Sequence, residues 1–294
     1  MIHILDLKFL GLDEAIAAFL VETSEGPVLV ETGPHSVNGN LEQEIERCGF
    51  KMADIQHVFI THIHFDHAGG AWALAQQGAT IYLHPFGKRH LGEPSKLYAS
   101  AKRIYQDKME TLWGKMEAID EEKLRTVEHG ESITIGDTTF TAQHTPGHAV
   151  HHIAWQVDDN LFAGDVAGVK IAKGIVVPPC PPPDINIEDW VASINLIRGL
   201  DIKALYLTHF NKITNITEHL EALEKMLGDW ANWMKPHYEN GTEQKEIVPQ
   251  FMEYTKQQLL NHGLNEEEIK QYEAANPSWM SVAGLMRYWN KRNA

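Results

Sequence analysis

The segment Phe59-Ile60-Thr61-His62-Ile63-His64-Phe65-Asp66-His67-Ala68-Gly69-Gly70 constrains this chain more than any other. It emerges from the apolar run 55–61, which has the composition of a buried strand. Alternate side chains of an extended segment point the same way, so His62 and His64 offer two imidazoles to one ion from one side. Asp66 and His67 follow where strand gives way to helix and turn toward a second ion beside the first, while Gly69 and Gly70 let the backbone approach closely. Clustering neutral imidazoles with a carboxylate behind an apolar strand is costly unless a metal offsets the desolvation. The spacing therefore points to metal ligation and not to four polar residues satisfying one another.

Three more residues of the same chemistry follow apolar runs and sit at turns. They are His148 in Thr145-Pro146-Gly147-His148, Asp165 in Phe162-Ala163-Gly164-Asp165, and His209 in Tyr206-Leu207-Thr208-His209. The chain has 17 histidines. His84, His90 and His144 read as ordinary surface or core imidazoles, as do His151 and His152, one of which is placed to support the ligands. Cys180 lies among prolines with no basic neighbour, so it reads as a packed thiol.

Along the chain, strand-like runs at 2–9, 15–22, 27–31, 55–61 and 79–84 alternate with helical segments at 38–48 and from Ala68 onward. A longer helical stretch over 95–118 places Leu97, Ala101, Tyr105, Met109, Leu112 and Met116 on one face, and its aromatics Tyr98, Tyr105 and Trp113 read as core. Strand patterns return at 132–136, 138–144, 151–157, 160–164 and 203–209, with a helix near 187–198. The prolines between 178 and 183 form a stiff extended loop, equally a spacer or a substrate wall. Beyond Asn215 the pattern is helical: capping-box spacing at Asn215 and Glu218, a helix opening on Pro249 and stopping at Gly263, a third capped by Asn265 with Glu268 and a Leu264–Ile269 staple, and a fourth from Asn276-Pro277. This gives a mixed α/β unit over 1–235, with a helical insertion at about 86–118, and a helical extension over 236–294.

Composition narrows the partners. With 40 acidic and 25 basic residues the net charge is −15, which repels a phosphate backbone and argues against nucleic acid. The apolar stretch from Ala15 to Val21 is far too short to span a membrane. The opening residues lack a basic n-region, and two distant cysteines make no disulfide framework, so the expected setting is the cytoplasm. The expected partner is a small-molecule substrate, with self-association left open.

The HxHxDH pattern at 62–67, followed by distal His148, Asp165 and His209, resembles the metallo-β-lactamase superfamily of metallohydrolases. The resemblance covers roughly residues 1–230, and the insertion around His90 to Leu97 together with the helical tail resembles a hydrolase-like subgroup. It implies a four-layer αββα sandwich with the metals at one edge of two sheets, here with a helical C-terminal extension. It further implies that His62, His64 and His148 hold one metal, that Asp66, His67 and His209 hold the other, and that Asp165 bridges them. Glu31 stands where relatives usually show Asp, one methylene longer.

The implied cofactors are two divalent ions, with zinc favoured and iron or manganese accepted by the same donors. The implied chemistry is metal-bound hydroxide attacking a small ester, lactone or thioester, with Asp66 and Asp165 as catalytic proton acceptors. The alternatives are an iron-dependent redox protein of the same fold or a phosphodiesterase. The apolar stripe of the tail, with Trp279, Val282, Met286 and Trp289, is expected to bury either over the metal edge as a lid or on a remote face.

Overall fold

The computed structural model describes residues 1–293. Its first sheet comprises β1 (Ile2–Asp6), β2 (Ala17–Thr23), β3 (Gly26–Val30), β4 (His57–Phe59), β5 (Thr80–Leu83) and β6 (Leu124–Thr126), in that spatial order. The first three pair antiparallel, and β3 to β6 run parallel, with Val30 opposite Phe59 and Phe59 opposite Tyr82. The second sheet orders β7 (Ser132–Ile135), β8 (Thr138–His144), β9 (Ile153–Val157), β10 (Asn160–Phe162), β11 (Ala204–Tyr206) and β12 (Lys212–Ile213). It is antiparallel throughout except between β10 and β11.

The helices in chain order are α1 (Asn38–Arg47), α2 (Phe65–Ala68), α3 (Ala71–Gln76), α4 (Pro85–Gly92), α5 (Ser95–Tyr105), α6 (Met109–Trp113), α7 (Ile187–Arg198), α8 (Ile216–Glu239), α9 (Gln244–Asn261), α10 (Glu266–Ala275) and α11 (Ser278–Arg292).

The inner strands β3, β4, β10 and β11 are largely buried because both their sides are covered, whereas the edge strand β7 alternates exposed Ser132 and Thr134 with buried Ile133 and Ile135. Between the sheets Phe59 stacks on Phe140 at 4.1 Å and meets Trp155 edge-on at 4.9 Å, and Phe19 packs on Phe162 at 5.2 Å. Each such fully buried aromatic contributes about 1.5–3 kcal/mol from area removed from water. On the outer face of the first sheet, Leu20, Leu29, Val58 and Ile81 pack with Leu41 and Ile45 of α1 and Leu74 of α3. Outside the second sheet, Trp190 and Ile194 of α7 and Leu220 and Leu223 of α8 belong to the apolar cluster that includes its strands. The layers are αββα, with further helices appended at the C-terminal end. Phe251, Leu259, Val282 and Leu285 of α9 and α11 join the same cluster, and α8 runs unbroken through residue 235.

Three local expectations are corrected. The stretch 95–118 is two helices, not one: Gln106 takes a φ of 51° between α5 and α6, and Gly114 at φ 68° ends the second. The break brings Met109 back against Phe65 and Ala101, which a straight helix would not do. Helix α9 starts at Gln244, so Pro249 is internal; its one lost hydrogen bond is tolerated where Ile247 and Phe251 are buried. Asn215 and Glu218 bond side chain to side chain at 3.2 Å, and no reciprocal capping box forms. The box at Asn265 does form, with Glu267 and Glu268 N–H groups donating to Asn265 Oδ1 at 2.9 and 3.0 Å.

Candidate metal centre and its cavity

The carboxyl ends of the strands deliver the donors to one edge of the sandwich. His62 and His64 lie in the turn after β4, and Asp66 and His67 lie in the first turn of α2. His148 sits between β8 and β9, Asp165 follows β10, and His209 follows β11. All seven converge. His62, His64 and His148 form one set of mutually close donors, Asp66, His67 and His209 another, and His67 and Asp165 a third with His62.

Within the first set, His62 Nε2 lies 2.9 Å from His64 Nδ1, and His148 Nε2 lies 3.2 Å from His62 Nε2 and 3.0 Å from His64 Nδ1. In the second, His209 Nε2 is 3.4 Å and His67 Nε2 3.8 Å from Asp66 Oδ2. Asp165 faces both: Oδ2 is 3.3 Å from His148 Nε2, while Oδ1 is 3.3 Å from His67 Nε2 and 3.4 Å from His209 Nε2.

The far nitrogens fix the tautomers. His148 Nδ1 donates to the Pro179 carbonyl at 2.9 Å and His209 Nδ1 to the Ala15 carbonyl at 2.8 Å. Thr61 Oγ1 donates to Glu31 Oε1 at 2.5 Å and accepts from His62 Nδ1 at 3.0 Å. In the neutral rings the Nε2 atoms of His62 and His148 therefore face each other as bare lone pairs, an arrangement that repels unless a cation lies between them. His67 Nε2, Asp165 Oδ1 and His209 Nε2 are buried polar atoms with no hydrogen-bond partner. Orphaned donors oriented by outer hydrogen bonds are what a divalent ion requires, so these residues fit divalent metal.

Glu31 holds this edge together. Fully buried and at a φ of 65°, it accepts from His67 Nδ1 at 2.9 Å, from Thr61 Oγ1 and N–H, and from Thr208 Oγ1 at 3.3 Å. It thus orients one ligand directly and, through Thr61, a second. His152 supports another: its Nε2 accepts from the Asp165 N–H at 3.2 Å while Nδ1 donates to Thr145 Oγ1 at 2.8 Å.

Burial holds His62 well below its ordinary pKa, with His67 and His64 adding to it, and burial brings His64 down to about 3. Burial would raise Asp66 and Asp165, but His67 and other nearby imidazoles outweigh it, leaving Asp66 at about 2 and Asp165 well below the usual carboxylate range. Burial would lower His67 and His209, yet Asp165 and Asp66 prevail and raise both. Ionised carboxylates thus draw positive charge to the His67–His209 side, where a divalent ion would take the place of protons.

A cavity of about 670 Å³ opens on this edge, with His64, Asp66 and Asp165 in its floor. The inserted helices supply Leu97, Ala101, Tyr105 and Trp113, the proline loop supplies Pro179 and Pro181, and the α10–α11 junction supplies residues 274–277 and Met280. Tyr105 and Trp113, read from sequence as core, are wall as well, and the proline loop is wall and not spacer. His151, read as an ordinary imidazole, is buried, lines the cavity and leaves Nδ1 without a partner. Trp289 and Val282 face away from the cavity: Trp289 donates to the Ala231 carbonyl of α8 at 2.9 Å. Cys180 is buried, and burial pushes its thiol upward, away from nucleophilic use.

Residues 12–209 match the family described as the metallo-beta-lactamase superfamily, and the chain belongs to it. It is similar to the metallo-beta-lactamase fold-containing protein ST1585 of Sulfurisphaera tokodaii, 33% identical over 175 residues, covering 58% of this chain and 66% of that protein. The crystal structure of ST1585 superposes with a TM-score of 0.62 at 25% identity, over 75% of this chain and 84% of that one. The structure of a metallo-beta-lactamase family protein from Thermus thermophilus superposes at a TM-score of 0.67 and 18% identity over 100% of this chain and 94% of that one, a likeness of fold alone. Thioesterase pkgB of Emericella nidulans is 23% identical over 229 residues, 72% of this chain and 52% of that protein. The chain spans about half to two thirds of the length of these curated relatives.

Proposed function

We propose that the protein is a dinuclear metal-dependent hydrolase of a small acyl compound, an ester, lactone or thioester. The observation that carries this reading is the cavity floor: Asp66 and Asp165 reach it from the two donor sets, with His64 beside them. Zinc is the ion we assign, on the strength of a donor set of imidazoles and carboxylates. Two such ions supply a water ionised near neutral pH and Lewis-acid polarisation of the scissile carbonyl.

The chain's own residues do the rest. Asp165 turns one oxygen toward each donor set and so spans the two. Asp66 is the more accessible carboxylate, 21% exposed against 4% for Asp165, and takes the proton in transit to the leaving group. His62, His64 and His148 are held neutral by burial, ready to donate lone pairs. The apolar wall keeps bulk water from the acyl carbon. The relative named as a thioesterase supports acyl chemistry, and a net charge of −15 supports a small molecule over a polyanionic partner. Two free cysteines support a reducing compartment such as the cytoplasm. Among the described residues no helix is long and apolar enough to cross a membrane.

Metal analysis of the purified protein, followed by a panel of aryl esters, thioesters, lactones, β-lactams and a phosphodiester, tests the reading. The expected result is two ions per chain and acyl hydrolysis that a chelator abolishes and zinc restores. Phosphodiester cleavage without acyl hydrolysis would overturn it.

A further inference from the structure

We propose that the cavity is an acyl-chain slot and that the substrate carries an unbranched aliphatic acyl group of about eight carbons or more. This rests on the hydrolase reading for the reaction and on the cavity alone for the chain length. The first observation is where polarity lies. Apart from the metal-site residues and His151, the charged groups and the one further imidazole of the lining, Arg89, Asp184 and His90, come from α4 and the proline loop, and Arg89 is exposed; the neutral polar groups are Ser100, Trp113 Nε1, Tyr105 Oη, set against Met280 Sδ, and Asn276, whose amide donates to the Pro178 carbonyl. Between them and the floor the wall is Leu97 and Ala101 of α5 against Ala275 and Met280 of the tail. Four neutral polar groups are too few for a peptide or sugar lying there, which would leave most of its amides or hydroxyls unpaired. A polymethylene chain has nothing to leave unpaired.

The second observation is size. At about 30 Å³ per methylene, close to the share of liquid volume that one water takes, ten carbons fill roughly half of the 670 Å³ cavity. The remainder accommodates the carbonyl at the floor and the leaving group. An acetyl or butyryl group would leave most of the apolar wall uncovered.

The third observation is the rim. Phe86, Ile104 and Val150 are 60%, 48% and 44% exposed, among the few large apolar side chains the protein leaves in water, and all three line this cavity. An apolar rim continuous with an apolar interior is the entry of a slot for an apolar ligand. Two contacts join the insertion to the tail over it: Tyr105 Oη lies 3.2 Å from Met280 Sδ, and the Tyr105 and Trp279 rings meet edge-on at 5.7 Å.

The test uses the zinc-loaded protein with p-nitrophenyl butyrate, octanoate, decanoate and dodecanoate below their aggregation limits, and p-nitrophenyl benzoate as a short aromatic control. Burial of a methylene favours binding up to about fourfold, so kcat/KM is expected to rise at least ~30-fold from butyrate to decanoate. In parallel, Trp fluorescence reads binding of the product anions, for which decanoate is expected to bind at least about tenfold tighter than butyrate. Ala101→Phe fills the slot and is expected to move the optimum to shorter chains. Ile104→Glu places a charge on the exposed rim, where folding is not at stake, and is expected to weaken decanoate binding.

Rates flat or falling beyond butyrate, a preference for benzoate, or decanoate binding no tighter than butyrate would overturn the slot and leave the hydrolase reading standing. Tighter decanoate binding that Ile104→Glu weakens, in a protein that cleaves no acyl bond, would uphold the slot and overturn the reaction.

Discussion

Glu31→Gln isolates a single charge behind the metal edge. All four hydrogen bonds at this carboxylate are accepted: Oε1 takes His67 Nδ1, Thr61 Oγ1 and Thr208 Oγ1, and Oε2 takes the Thr61 N–H. A carboxamide has one acceptor oxygen and one donor nitrogen. Its best placement keeps the oxygen at the Oε1 position and points its N–H groups at the Thr61 N–H, losing that bond outright and the charge from the other three. Hydrogen bonds to a charged group are worth about 1.5–3 kcal/mol each, so an effect near the lower end is expected on stability without metal. With metal the expected effect is larger, because an outer partner of a ligand typically governs about 10–100-fold in affinity, or roughly 1.4–2.8 kcal/mol. Competition with a chromogenic chelator measures the affinity of each ion, and denaturant unfolding with and without chelator measures stability. The weakening should fall on the ion held by His67. Two ions bound at wild-type affinity by the Gln variant would refute the assignment of Glu31 as the residue that orients His67.

Asp165→Asn should lower metal content for both donor sets at once, read by elemental analysis, whereas a variant at His148 should spare the His67 set. Burial lowers His219 to about 4 while its Nε2 bonds the Ala167 carbonyl at 2.8 Å. A depressed folded pKa gives stability that is full above the unfolded value near 6.5 and lost as pH falls through 4. Wild type should therefore lose about 2 kcal/mol more between pH 7 and pH 5 than His219→Gln, by denaturant unfolding. Gly147→Ala should cost about 1–3 kcal/mol and displace His148, since Gly147 has a φ of 131° and an added Cβ would strike the Trp190 backbone; thermal melts and metal content read both effects. Asn265→Ala should cost about 1 kcal/mol by removing the α10 cap, with metal content unchanged.

The metal edge was legible because its residues announce themselves. His62, His64, Asp66 and His67 sit within six positions after an apolar strand, and His148, Asp165 and His209 each end such a run. What orients them was not legible. The carbonyls of Ala15 and Pro179 fix two tautomers, and a backbone carbonyl carries no side-chain signature. Glu31 stood out only against the usual Asp of relatives. The cavity wall was hidden for a different reason: Tyr105 and Trp113 at helical spacing look the same whether they face a core or a slot. The chain reverses between them at Gln106, whose positive φ of 51° a glutamine has no intrinsic preference for.

The α10–α11 junction closes the cavity with residues 274–277 and Met280, while every candidate metal donor lies between His62 and His209. The ribosome delivers these parts in that order, and earlier segments fold first during synthesis. The seven donors all leave the ribosome before the helix that seals their pocket is made. On the nascent chain the donor cluster is thus complete in sequence before its roof exists, so the edge it occupies is more open at birth than in the finished molecule.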